Sequence, residues 1–334
     1  MNLTRRTLVV AAGLATGLPG LTRAQTSPAR VRRIGMVANS AATPPGQPSR
    51  YAMAFIGELQ AQGFAYGIDY VIETRLAEGD SARLPALAAE LVRLKVDVLV
   101  PIGSAAAHAA FAATRSIPIV FIGVHDPVGA GFAASLARPG GNVTGVAAFY
   151  GVLLPKQFEI LKSIAPKITR VAILVIDSAV TREFELLHAE VQVAARRIGV
   201  QIRVYSGGVA HPFDQVFGAL LKDKCDALIV TADSYFVMNR QVIADLALKH
   251  RLPTMFGNRE HVVAGGLASY GENAVDLATR SARYVARIFK GAKAGELPIE
   301  QPTTFAMVVN GKTARTLGLS LSQEALLRAE EVIE

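Results

Sequence analysis

Apolar, β-branched runs recur along this chain with helical patterns between them. The first four are RRIGMVA at 32–38, YVIETRLA at 70–77, VDVLVPI at 96–102 and IPIVFIG at 117–123. Amphipathic stretches at 50–62, 81–94 and 105–114 separate them. Strands that alternate with helices must run parallel, because each crossover returns the chain to the same edge of the sheet. The expected fold class is therefore α/β, with parallel sheets covered on both faces.

A second set follows residue 150, with strands at 170–176, 201–207, 226–232 and 252–257 and helices at 153–164, 181–198, 214–222 and 235–249. A chain of 334 residues has room for two medium domains, so two Rossmann-like lobes are expected. The joint falls at ARPGGNVTGVAAFYG, 137–151, where Pro139, Gly140 and Gly141 cannot continue a helix. AGGLASYGEN at 264–273 and GELPIEQPTTF at 295–305 supply two more connections, making a hinge of three crossovers. The first lobe is then 31–147 plus 272–302 and the second 148–271 plus 303–334, closing with a strand at 305–310 and a helical tail.

Residues 1–26 stand outside this pattern. A basic start, an apolar stretch from Leu8 to Leu21 and a small residue at Ala24 make a secretory signal cleaved after Ala24. Thr4-Arg5-Arg6-Thr7-Leu8 resembles a twin-arginine export signal, with Leu8 where that motif prefers Phe; ordinary Sec export is the alternative. The implied location is the periplasm. The single cysteine, Cys225, cannot form an intramolecular disulfide and sits in a core-like setting. The formal charge of +8 is interspersed with acids along helices rather than gathered in one stripe. That argues against nucleic acid as a partner.

Within this frame, RLPALAAELVRLKVDVLV, SLARPGGNVTG, RVAILV, GGLASYG and LPIEQPTTFAMVVNGKTARTLGL occur in order between Arg32 and Glu334. Together they resemble the tryptophan-binding-protein-like family of ABC-transporter substrate-binding proteins. The resemblance implies a type I periplasmic binding protein fold and capture of a small solute in the interlobe cleft. It also implies delivery to an ABC permease in the inner membrane. Some relatives bind aromatic amino acids. No enzymatic activity and no cofactor are expected, and the binding protein is expected to be a monomer.

In an open α/β sheet, ligands bind outside the carboxyl ends of the strands. That rule singles out Asn39 and Ser40 after the first strand, Ser104 to Ala106 after the third, and Asp126 after the fourth. In the second lobe it singles out Asp177, Asp233 with Tyr235, and Asn258 with Glu260. Tyr150 and Tyr270 lie in crossovers, where either can stack on a ligand or pack the joint. PIGSAAAHAA at 101–110 lacks the lysine of a phosphate-binding loop and the second glycine of a nucleophile elbow. It therefore offers a helix N-terminus suited to a carboxylate, with Ser104 as its N-cap. An acid from the second lobe, Asp233 or Glu260, would then meet an ammonium. Simpler roles exist for these positions: Asp177 and Asp233 as caps, Asp126 as a turn former before Pro127, and Arg259–Glu260 as a surface pair. No histidine spacing suits a metal. A sensory binding protein of the same fold, an exported hydrolase using Ser104 and a sugar-type transcription regulator are the rival functions. The signal occupies the place where the regulator would need a helix-turn-helix.

Overall fold

A computed structural model describes residues 30–40, 49–148, 150–176 and 191–334; the signal segment lies outside them. Parallel strands β1 (Arg32–Ala38), β2 (Tyr70–Leu76), β3 (Val98–Ile102), β4 (Ile119–His125) and β5 (Val143–Ala148) form one sheet in the order β2-β1-β3-β4-β5. Helices α1 (Arg50–Ala61), α2 (Leu84–Arg93) and α3 (Ser104–Ala113) connect them. The second sheet has the order β12-β11-β10-β9-β8-β6-β7. Its strands are β6 (Arg170–Ile176), β7 (Gln201–Gly207), β8 (Ala227–Val230), β9 (Thr254–Phe256), β10 (Ala268–Glu272), β11 (Phe305–Asn310) and β12 (Glu331–Ile333). Helix α4 (Tyr150–Ile164) opens this half, and the remaining described helices are α5 (Phe213–Lys222), α6 (Ser234–Met238), α7 (Arg240–Lys249), α8 (Arg259–Val263), α9 (Ala274–Phe289), α10 (Gly311–Leu317) and α11 (Gln323–Arg328).

Both sheets are covered on two faces, which is why their central strands read as unbroken apolar runs. In the first sheet, Ile34, Val98, Val100 and Val120 pack with Phe55, Leu59 and Tyr284, while Leu99 and Phe121 pack with Leu91 and Ala110 on the other side. Helix α9 shows how sequence directs this. Asn273 caps it by accepting from Val275 N and Asp276 N at 3.0 and 3.3 Å. Its buried residues Leu277, Ala278, Ser281, Ala282 and Val285 recur at helical spacing and face α1, β4 and β5.

The structure departs from the sequence expectations in several places. The stretch read as a joint at 137–151 contains β5, whose six residues are all buried. Gly and Ala are poor strand formers, yet full burial beside β4 outweighs that preference. The glycine-rich stretch at 264–273 likewise contains β10. The helix expected over 235–249 is two helices. Asn239 breaks it, because its side-chain amide donates to the Tyr235 carbonyl at 2.9 Å, beside the backbone bond from its own N–H. The tail ends in β12 rather than in a helix, and β11 runs antiparallel to β10 because it enters from the opposite side.

Among the described residues the chain passes between the sheets three times: after β5, after β10 and before β11. The third passage is fastened to β5. Glu300 N–H donates to Gly145 O at 3.0 Å, and Ala147 N–H donates to Glu300 O at 2.8 Å. Thr144 Oγ1, fully buried, donates to Leu297 O at 2.9 Å. The Glu300 carboxylate accepts from Tyr284 Oη at 2.9 Å and from Arg280 at 3.3 Å. Val31–Glu334 thereby form one compact unit.

Asn310 closes the second lobe in a comparable way. Its Oδ1 caps α10 through Thr313 N at 2.9 Å, and its Nδ2 donates to Val262 O at 3.2 Å in the interior. Asn310→Ala removes the cap on Thr313 N and one of the two hydrogen bonds to Val262 O, which keeps its bond from Gly265 N at 3.1 Å, so urea unfolding should show a loss of about 1–2 kcal/mol. Asn310→Asp, which keeps the cap acceptor, should lose less.

Candidate ligand-binding cleft

The carboxyl ends of β1 to β4 and those of β8 and β9 carry most of the residues that the strand-end rule singles out. At the end of β3 the chain turns on Gly103, with φ 84° and ψ 161°. That region is essentially closed to residues with a Cβ. Gly103, not Ser104, is the N-cap of α3, which corrects the cap expected at Ser104. The Ser104 hydroxyl instead accepts from His125 N at 3.1 Å and is buried. One bond thus joins the ends of β3 and β4. Its own proton is left for another acceptor. Ala107 N–H is the first bonded back into the helix, to Gly103 O at 3.1 Å. The N–H groups of Ser104, Ala105 and Ala106 therefore have no intrahelical acceptor. Ala106 is buried in the core and Ala105 is half-buried.

Asn39 is buried, and its carbonyl accepts from Gly79 N at 3.1 Å, while that of half-buried Ser40 accepts from Glu78 N at 3.2 Å. Asn39 Oδ1 is buried without a hydrogen-bond partner among the described residues. Asp126 is exposed and holds a turn: its Oδ1 accepts from Gly129 N at 2.8 Å. Burial pushes the neighbouring His125 imidazole down to about 3. Asp177 lies outside the described residues, as does the side chain of Tyr150.

In the second lobe, Asp233 caps α6 by accepting from Tyr235 N at 2.7 Å. Burial pushes its carboxyl up to about 6, and the backbone bond only partly offsets this. The Tyr235 ring stacks on Phe213 at 5.8 Å and abuts Gly79 of the first lobe. Asn258 precedes α8 without a side-chain capping bond, and its Oδ1 is a second buried acceptor without a partner among the described residues. Behind it, fully buried His261 stacks on Phe256 at 4.5 Å, and burial pushes its imidazole down to about 4.

Glu260 and Arg259 are not a surface pair with each other. Glu260 accepts from Tyr51 Oη of the first lobe, and Arg259 Nε donates to Glu331 at 2.6 Å. Tyr270 is turned into the second-lobe core, with its ring 6.1 Å from Phe305, and its carbonyl accepts from Gln157 at 2.7 Å. It packs the joint rather than opening to a ligand. Two free volumes flank Glu272. One of about 570 Å³ is lined from both lobes by Arg50, Tyr51, Asn258 and Glu260 among others. The other, of about 300 Å³, lies between Gln157, Thr231 and Gly257. Sequence reasoning gave Gln157, Thr231, Glu272 and Glu331 no role. Glu331 meets Arg259 across 72 residues, a separation that leaves no local pattern to read. Among the described residues no His, Cys, Asp and Glu group is placed to hold a metal.

Two α/β lobes joined by three crossovers define the type I periplasmic binding protein fold. The chain belongs to the family described as ABC transporter substrate binding protein, whose profile matches residues 47–333. Such a protein holds its substrate and is not an enzyme. A tyrosine-binding protein of Clostridioides difficile is 25% identical over 267 residues, covering 79% of this chain and 75% of the relative. The crystal structure of an ABC domain from Streptococcus pneumoniae in complex with L-Trp superposes with a TM-score of 0.80 at 23% identity, covering 91% of this chain and all of the other. A ligand-free, open substrate-binding protein with adhesive properties from Clostridium difficile gives 0.62 at 25% identity, covering 91% of this chain and 99% of the other. No helix among the described residues is long and apolar enough to cross a membrane.

The raised Asp233 carboxyl fixes the sign of a pH effect. Between its usual value of 3.8 and about 6, the folded state binds more protons than the unfolded one. Its contribution to stability is thus present at low pH and lost as pH rises through 6. Asp233→Asn keeps a cap residue and removes this loss. The variant should gain stability relative to wild type as pH rises from 4 to 7, read as the difference in urea midpoints.

Proposed function

We propose that this protein captures a free amino acid with an aromatic or apolar side chain in the interlobe cleft and delivers it to an ABC permease. The observation that carries the reading is the pair of buried acceptors without partners, Asn39 Oδ1 at the end of β1 and Asn258 Oδ1 beside the larger free volume. Acceptors buried at both lobes suit a ligand with several donors, because a buried acceptor left unpaired costs about 1–3 kcal/mol. An ammonium has three donors, and Asp233 adds a carboxylate on the same lobe as Asn258. The ligand's carboxylate goes to the N–H groups of Ser104, Ala105 and Ala106, where the helix dipole favours an anion. The relatives that bind tyrosine and L-Trp support the ligand class. With one charged end on each lobe, the ligand favours a closed arrangement over an open one. The lobes move about the three crossovers, and the closed monomer docks on the permease.

Calorimetry with tyrosine, tryptophan, phenylalanine and leucine, each beside its carboxamide, tests this. The acids should bind and the amides should bind at least tenfold more weakly, since a hydrogen bond to a charged group is worth about 1.5–3 kcal/mol. Ser104→Ala should weaken binding of the acid and narrow its margin over the amide. It should also lower stability, because His125 N loses its acceptor. Equal affinity for acid and amide would place the carboxylate elsewhere.

Export precedes these steps: the segment ending at Ala24 directs the chain to the periplasm and is removed. N-terminal sequencing of the protein from a periplasmic extract should return Gln25 as the first residue. A mature chain that began at Met1 in the cytoplasm would contradict this.

A further inference from the structure

The two lobes touch through side chains that lie outside the proposed carboxylate and ammonium contacts. Tyr51, in the first turn of α1, donates its hydroxyl to Glu260 in the first turn of α8, 209 residues away. Burial, reinforced by the Glu260 charge, raises the Tyr51 pKa far above its usual value, so the phenol stays protonated and remains the donor. Arg259 does not compete for Glu260, because its guanidinium is held by both oxygens of Glu331 on β12. That pair also ties the start of α8 to the edge of the second sheet. The second contact is apolar. A Cβ on Gly79 would sit 2.6 Å from the Tyr235 ring and 3.0 Å from the Met238 methyl, so only a glycine lets the α6 side chains close against the loop after β2. The contacts join helix α1, which follows β1, and the loop after β2 to helices that follow β9 and β8.

We propose that Tyr51 and Glu260, backed by the packing of Tyr235 and Met238 on Gly79, form a closure latch that holds the lobes together without a ligand and thereby sets affinity. Tyr51 is a positioning residue. It acts on the fraction of molecules already closed, and apparent affinity scales with that fraction. A charge-assisted hydrogen bond of this kind shifts a two-state ratio by about tenfold or more. Where a large share of molecules is closed, losing it changes the open-to-closed ratio more than it changes affinity. The ligand-free behaviour does not depend on the proposed ligand, whereas the affinity effect rests on that reading.

The test compares wild type, Tyr51→Phe and Glu260→Gln by small-angle scattering with no ligand added. Tyr51→Phe keeps the ring and removes only the donating hydroxyl. The expected result is a larger radius of gyration for Tyr51→Phe, with an intermediate value for Glu260→Gln, which keeps an acceptor but loses the charge. Far-ultraviolet circular dichroism should be unchanged. A ring that merely packs would leave Glu260→Gln identical to wild type. Superimposable scattering curves for all three proteins would overturn the latch, whether all are open or all closed. If the ligand-free curves differ while no amino acid binds, the latch stands and the proposed ligand falls. Where an amino acid does bind, Tyr51→Phe should weaken it by less than the shift in the open-to-closed ratio. A loss larger than that shift would make Tyr51 a ligand contact instead.

Discussion

The backbone pairing of Glu300 with β5 is the constraint on which the remaining architecture depends. Two sheets joined only by extended chain would separate freely. Here the passage into β11 is bonded at both its N–H and its C=O to Gly145 and Ala147, the last strand of the other sheet. The side chain of Glu300 continues the tie to Tyr284 and Arg280 of α9, the helix that follows the passage out of β10. All three crossovers therefore bear on one place at the base of the first lobe. The proposed closure would then pivot beyond that place, in residues 301–304 and around Glu272.

That pivot gives meaning to the strand ends. Each lobe presents its carboxyl-terminal edge, and each edge has a different electrostatic character. The first lobe offers N–H groups at α3, left open because Gly103 caps the helix with no side chain. The second offers acid and carbonyl acceptors at Asp233 and Asn258. Burial raises the Asp233 carboxyl and lowers the His125 and His261 imidazoles, so the interior near the cleft disfavours every unpaired charge of either sign. A zwitterion answers both edges at once, whereas an ion of one sign satisfies a single edge.

The sequence made the layout of the lobes readable because burial on both faces of a parallel sheet leaves an unmistakable apolar signature, as in VLVPI and ALIV. It concealed β5 and β10 because glycine and alanine, which those strands need where backbones approach closely, carry no strand signal. Gly271 is an example: a Cβ there would lie 2.0 Å from Gly257 O. The strand-end rule singled out Asp233 and Asn258, and these do follow the carboxyl ends of β8 and β9. It did not say which side chains were already engaged. Ser104 is tied to His125, Glu260 to Tyr51 and Tyr270 to the core, and each partner is distant in sequence. Such pairings are decided by tertiary approach and leave no periodicity to detect.

The engaged residues and the open ones divide the work of binding between them. Glu260 faces the free volume yet is held by a phenol, while Asn39 and Asn258 keep buried acceptors without partners. Closure contacts that are satisfied within the protein contribute equally to every ligand, so they raise affinity without discriminating. Open acceptors and helix N–H groups contribute only when a ligand presents the right donors and charge, so they discriminate. On the proposed reading, keeping the two sets apart would let specificity vary through the strand-end residues while the closing contacts are kept. This also accounts for the position of Gly79. A glycine there offers no hydrogen bond from a side chain, yet it decides how near Tyr235 can come to the opposite lobe.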